Sequence, residues 1–412
     1  MAFKGRHFTG RCHDKKIPEI PPSQKEKIFP PFNFVYHPRA GWIHPRQIIF
    51  DTGTPLPGIR NLGSMIYSGK DLPLNKILDT LPLKCLLLSI NDFLGLARVG
   101  LPEITEAELL SVRICKNNIC FWLVEFVPQE GTFDRRVQRT IDLADEGDGG
   151  NQGSSDEGAG VVNAMMFADL SARLGSLTLP RVKEHAKHPM NVAVVDRGNF
   201  RRPRNFGVNE ATHAMVLAKI IEHNGLITPV ASPMVNSYTE TATVFDLICA
   251  LSNRCLLDTV QVINISQGFY ASDPHPVLHK VLKSWDKPIV CSAGNDGWDN
   301  DVRPHWPSNF YREVDHVISV GALDNRGNFK INGPGFNSNY GSENVTLAAR
   351  GKWGRIQGTS YAAAWMSRLI ATAFSMAGRI DLNLAHIQDE LSRIPIGIIQ
   401  ANRTHTGLGF MD

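Results

Sequence analysis

Asp196, His213, Asn295 and Ser360 supply the side-chain types that nucleophilic catalysis needs, in that order along 412 residues. A serine hydroxyl is a weak nucleophile until a base takes its proton. Histidine can accept and return that proton near neutral pH. A carboxylate behind the histidine fixes the imidazole tautomer and stabilises the imidazolium without itself becoming protonated. An asparagine amide is a neutral donor suited to a developing oxyanion. Taken singly, each has an ordinary explanation: a turn-forming Asp, a packed His, an Asn in a left-handed turn, a helix-capping Ser. Their joint order carries the information, because chain order separates unrelated enzymes that share a triad.

Such groups must be held by a scaffold, and the sequence contains one. From about residue 190, short apolar runs alternate with helical stretches: Val192–Val195, Ala214–Ile221, Val260–Ile265, Pro288–Ser292, His316–Val320 and Tyr361–Ala377. This alternation predicts a parallel sheet covered by helices on both faces. In that architecture functional groups gather at strand carboxyl ends and helix amino ends. All four residues fit. Asp196 closes Asn191-Val192-Ala193-Val194-Val195, and His213 opens a helix. Asn295 follows a strand in Ser292-Ala293-Gly294-Asn295-Asp296-Gly297, and Ser360 follows Gly358-Thr359 at a helix start.

On these motifs the stretch from about 190 to 412 resembles the subtilisin-like serine proteases, or subtilases. Val194-Val195-Asp196-Arg197-Gly198 is similar to the family's aspartate motif, and Gly358-Thr359-Ser360-Tyr361-Ala362-Ala363 to its nucleophile motif. Val262-Ile263-Asn264-Ile265-Ser266-Gln267-Gly268 resembles its substrate-binding strand, and Ser292-Ala293-Gly294-Asn295 its oxyanion loop. The resemblance implies a triad of Asp196, His213 and Ser360, with the Asn295 amide and the Ser360 backbone N–H on the oxyanion. It also implies that Ser266, Gln267 and Gly268 pair with an extended peptide, while Ser292, Ala293 and Gly294 line the first specificity pocket. Two positions depart from the family. His213-Ala214-Met215 stands where His-Gly-Thr is usual, and Ala364 where a proline is usual.

The expected fold is α/β, a subtilisin-like parallel sheet flanked by helices and preceded by a smaller α+β domain. That amino-terminal domain spans 1–140, and the catalytic domain 161–412. Residues 141–160 read as a flexible acidic linker, since 142–160 holds six acids, six glycines and no Lys or Arg. Within the first domain, Leu81–Ile90 is an apolar run, Ile104–Leu110 is helix-like, Leu110–Cys115 and Cys120–Val127 are strand-like, and Cys115 and Cys120 flank a tight hairpin. After the linker, Val162, Met165, Met166, Leu170 and Leu174 recur at helical spacing.

Charge and composition exclude more than they assign. A balance of 43 basic to 40 acidic residues leaves +3, so no global field favours nucleic acid or membrane. No apolar run follows the basic start, so a secretory signal is not predicted. The expectation is a cytoplasmic protein with reduced thiols, or one exported without a classical signal. Ile48-Ile49-Phe50-Asp51-Thr52-Gly53 imitates an aspartate motif but lies outside the alternating region, and no second Asp-Thr-Gly exists. Glu184-His185-Ala186-Lys187-His188 lacks the i, i+4 histidine pair of a zinc helix, so no metal ligand set is assigned. The chemistry requires no cofactor. Asp296, Asp299 and Asp301 form an acidic loop with calcium-like composition.

The sequence therefore reads as a serine endopeptidase acting on protein or peptide substrates, with an amino-terminal domain that either regulates it in cis or recruits substrate or localises it. The alternative is a pseudoprotease using the same fold to bind peptides, which the altered His213-Ala214-Met215 favours.

Overall fold

The computed structural model describes residues 35–37, 41–51, 86–91, 96–100, 115–116, 119–127, 161–162, 169–174, 188–197, 211–223, 225–234, 242–329, 337–353, 356–378, 384–394 and 396–411. The chain divides into two compact units. One comprises Met1–Phe126 with Val235–Leu256, the other Val127–Met234 with Leu257–Asp412. Residues 235–256 thus lie within 161–412 in sequence but pack with the amino-terminal stretch. The expected linker falls outside the described residues.

The first unit is built on a seven-stranded sheet. Strand Gly41–Asp51 pairs antiparallel with Leu96–Gly100 and Ile119–Val127, and Leu86–Asn91 adds beyond Leu96–Gly100. Asp51 sits in this sheet opposite Leu96 and Cys120. The expected hairpin forms, with Cys115 directly across from Cys120. Ala242–Thr243 joins the sheet beside Ile119–Val127 and leads into helix Val244–Leu251. Asp246 of that helix is buried. Its Oδ2 accepts from Thr243 N and Oγ1 at 2.8 and 2.7 Å, and its Oδ1 from Arg98 Nη1 at 3.3 Å. Removing one member of such a buried pair costs about 3–5 kcal/mol, because the other charge stays in the interior. Contrary to the expectation of reduced thiols, Cys249 of this helix is disulfide-bonded, whereas Cys291 is a buried free thiol.

The second unit holds an eight-stranded sheet. Its strands are β1 (Met190–Arg197), β2 (Ile227–Met234), β3 (Val262–Ile265), β4 (Ile289–Ser292), β5 (Val317–Leu323), β6 (Leu347–Arg350), β7 (Ile398–Gln400) and β8 (Leu408–Phe410). The spatial order is β2-β1-β3-β4-β5-β6-β8-β7, parallel throughout except for the antiparallel β7–β8 edge. Every residue of β3, β4 and β5 is buried, as unbroken apolar runs require when helices cover both faces. The helices are α1 (His213–Ile221), α2 (Pro276–Lys283), α3 (Thr359–Ala377) and α4 (Leu384–Ser392). Helix α3 crosses the core and stops at Gly378, whose φ of +70° forms a left-handed cap that glycine adopts without strain. Val162 departs from the expected helix. Val161–Val162 pairs as a strand with Ala211–Thr212, and helix is found at 169–174.

Two links hold α1 and α3 in register. Val216, Leu217 and Ile220 of α1 share one core with Leu369, Ile370 and Phe374 of α3. Buried Arg368 of α3 donates through Nη1 to the Ile220 carbonyl at 3.2 Å, capping the last turn of α1. Burial lowers this guanidinium to about 10.

Two buried histidines give this unit a pH signature. Burial pushes His275 and His305 down to about 3, so both stay neutral in the fold. Unfolded histidine titrates near 6.5, so between about pH 6.5 and 3 the unfolded chain binds more protons. Stability is therefore expected to fall as pH drops through this window, by about 1.4 kcal/mol per pH unit for each histidine. Urea titrations at stepped pH check this; a midpoint flat from pH 6.5 to 4 contradicts it.

Candidate active site

At the carboxyl edge of the sheet two of the anticipated residues, Asp196 and His213, are paired. Asp196 ends β1, is 1% exposed, and its Oδ2 lies 2.5 Å from His213 Nδ1. Because an ionised carboxylate only accepts, the proton lies on Nδ1, which leaves Nε2 as the basic nitrogen. His213 is the first residue of α1, fixed there by Thr212, whose Oγ1 accepts from Met215 N at 3.2 Å. Ala214 is buried and Met215 packs against the core, so the two unusual residues sit in helix without displacing the histidine.

Ser360 is the second residue of α3 and 1% exposed. Among the described residues its hydroxyl makes one hydrogen bond, a long 3.4 Å contact to the Ser266 carbonyl. The neighbouring Tyr361 ring packs on the His213 ring with centroids 5.6 Å apart, so the nucleophile helix adjoins the base. Turning the Ser360 side chain about χ1 is what would redirect its hydroxyl. A polar relay supports this corner: the single proton of Ser266 Oγ has the Ser360 carbonyl and Asn264 Oδ1 as alternative acceptors, each at 3.0 Å, and Asn264 Nδ2 donates to Ser367 Oγ at 3.1 Å.

Asn295 is oriented by a residue that the sequence reading passed over. Its Oδ1 accepts from Thr359 N at 2.8 Å and Thr359 Oγ1 at 2.9 Å, so its amide nitrogen is the end left for another acceptor. Thr359 Oγ1 also accepts from Gly294 N at 3.2 Å. The carbonyl of Asn295 thereby satisfies an N–H at the start of α3, one of the helix's orphan donors.

Gln267 adds a contact to Asp196. Its side chain turns inward, and Nε2 donates to Asp196 Oδ1 at 2.8 Å, leaving only its backbone for a peptide. Both carboxylate oxygens are thus occupied. The remaining expected contacts, Ser266, Gly268, Ser292, Ala293 and Gly294, are all buried.

The acidic loop uses its carboxylates internally. Asp296 Oδ2 accepts from Tyr270 OH at 2.5 Å, Asp299 Oδ1 from Asp301 N, and Asp301 from the backbone N–H of Glu343 and Asn344. No group of three metal-ligating side chains occurs among the described residues. Nor, among them, is any helix long and apolar enough to cross a membrane.

The largely parallel eight-stranded sheet flanked by helices is a subtilisin-like fold. Residues 209–391, a little under half of the chain, match the model of the subtilase family. The match begins after Asp196, whose place rests on geometry. No curated protein matches the sequence. Among solved structures, the epidermin leader peptide processing serine protease from Staphylococcus aureus is similar at 14% identity and TM-score 0.52, covering 89% of this chain and 96% of that one. A lanthipeptide protease is similar at 19% identity and TM-score 0.41, over 55% of this chain and 86% of that one. The first likeness shows the fold; the second is too distant to carry an argument.

Proposed function

We propose that this subtilase hydrolyses peptide bonds by attack of Ser360, with His213 as general base, Asp196 as its orienting carboxylate, and Asn295 with the Ser360 N–H as oxyanion donors. One observation carries the reading: a buried Asp196–His213 pair at a strand end, with the helix of Ser360 packed against the imidazole. On substrate binding the serine hydroxyl rotates from Ser266 O to His213 Nε2 and attacks the scissile carbonyl. The imidazolium then returns the proton to the leaving amine, and water repeats the cycle on the acyl-enzyme. The Asn295 amide contributes on the scale measured for subtilisin's own oxyanion asparagine, about 10²–10³ in kcat.

The pseudoprotease alternative loses its main support, since Ala214 and Met215 leave the histidine in place. Reaction with a fluorophosphonate separates the two. An endopeptidase is labelled stoichiometrically at Ser360; an unlabelled folded protein sinks the catalytic reading.

We further infer that the amino-terminal unit restrains the site in cis, since it precedes the protease as inhibitory prosegments do in subtilases. The same labelling, compared between the full chain and residues 161–412, reads this. A folded truncation labelled no faster removes the restraint.

A further inference from the structure

We propose that His305 and Tyr270 fill the first specificity pocket, so that the enzyme cleaves after glycine, alanine or serine and excludes large side chains. The inference rests on the endopeptidase reading and names its substrate class. The pocket's expected walls are Ser266–Gly268 on one side and Ser292–Gly294 on the other. A side chain entering between them needs free volume, and the walls are already in contact with the protein's own groups.

A methyl group on Gly268 would run into the His305 imidazole. On Gly294, held at φ +106°, it would lie 2.7 Å from Tyr270 OH and 2.5 Å from Asn339 Nδ2. The Tyr270 and His305 rings meet edge-on with centroids 4.9 Å apart. The sequence Gly268, His305, Tyr270, Gly294 is therefore a continuous bridge from wall to wall. Ser266, Gln267, Ser292 and Ala293 are each 0% exposed, as a filled gap requires.

The filling is anchored. His305 Nδ1 lies 2.9 Å from Ser308 Oγ, whose own proton goes to the His305 carbonyl at 2.7 Å, so Nδ1 carries the hydrogen of a neutral ring. Tyr270 OH donates to Asp296 and accepts from Asn339 Nδ2 at 2.7 Å, and its ring packs on Trp298 with centroids 4.7 Å apart. Asn339 Oδ1 accepts from Asp296 N and Trp298 N at 3.0 and 3.1 Å. Moving the rings aside breaks several buried hydrogen bonds at once, so a bulky residue cannot open the pocket by a simple side-chain swing.

The test uses the full-length protein and peptide coumarylamides that differ only in the residue before the scissile bond: Gly, Ala, Ser, Leu, Phe and Lys. Since a single surplus methylene changes discrimination by about 10–200-fold, Ala is expected to exceed Phe by at least ~100-fold in kcat/KM. Cleavage sites mapped by mass spectrometry in a denatured protein should follow the same preference. His305→Ala should raise the ratio of Phe and Leu turnover to Ala turnover by about 10-fold or more. Equal kcat/KM for Ala and Phe in the labelled wild type overturns the inference alone. So does a folded His305→Ala enzyme with the wild-type preference; if that variant fails to fold, the wild-type series and site map decide. A wild type that the fluorophosphonate does not label overturns the endopeptidase reading and this inference with it.

Discussion

Ser360→Ala is expected to abolish peptide hydrolysis while leaving the fold intact. The hydroxyl makes only the 3.4 Å contact to Ser266 O, and the cap of α3 is Gly358, so little structure is lost with it. Losing one long hydrogen bond of this kind changes stability by about 0.5–1.5 kcal/mol. Catalysis should lose far more. In subtilisin itself removal of the serine costs about 2 × 10⁶ in kcat, which sets the expected scale. Thr359 still holds Asn295, so the oxyanion donors and their residual acceleration survive. Steady-state turnover and thermal unfolding of the purified variant check both halves. Turnover within 100-fold of wild type would remove Ser360 from the nucleophile role.

Asp196→Ala is expected to have the second-largest effect, about 10⁴ in kcat; subtilisin's own aspartate accounts for about 3 × 10⁴. Here the carboxylate serves two donors, His213 Nδ1 at 2.5 Å and Gln267 Nε2 at 2.8 Å. Alanine releases both. The imidazole loses the acceptor that selects its tautomer, and the imidazolium formed on attack has no counter-charge. KM should stay near its wild-type value, because neither group is built to touch the peptide. Kinetics on a good peptide substrate separate the outcomes: a rise in KM with kcat preserved would assign Asp196 to binding instead.

The second unit was legible because its strands are buried on both faces. Such strands read as continuous apolar runs, which is how β3, β4 and β5 appear in the sequence. The pairing of Asp196 with His213 was legible from motif type and from its position at a strand end. Gln267 was not, because a strand motif tells which backbone faces a ligand but not where each side chain turns. The filling of the pocket was equally hidden, since it joins Gly268, Tyr270, Gly294, His305 and Asn339 through contacts that no local period encodes. The acidic loop shows the converse. Its composition suggests a cation, yet Asp301 spends its oxygens on backbone N–H groups some forty residues away, at Glu343 and Asn344. Arg98 and Asp246 are a buried pair 148 residues apart, beyond any pattern a linear reading can find.

That last pair ties together the two stretches of chain that make up the first unit. The first unit takes its sheet from one stretch of chain and completes it with Ala242–Thr243 and helix Val244–Leu251 from another. One break in the backbone between residues 128 and 234 would separate the two contributors covalently but not physically. They would still be held together by the strand pairing and the buried ion pair. Scission and separation would then be distinct events, the second depending on denaturant and not on the concentration of the cutting enzyme.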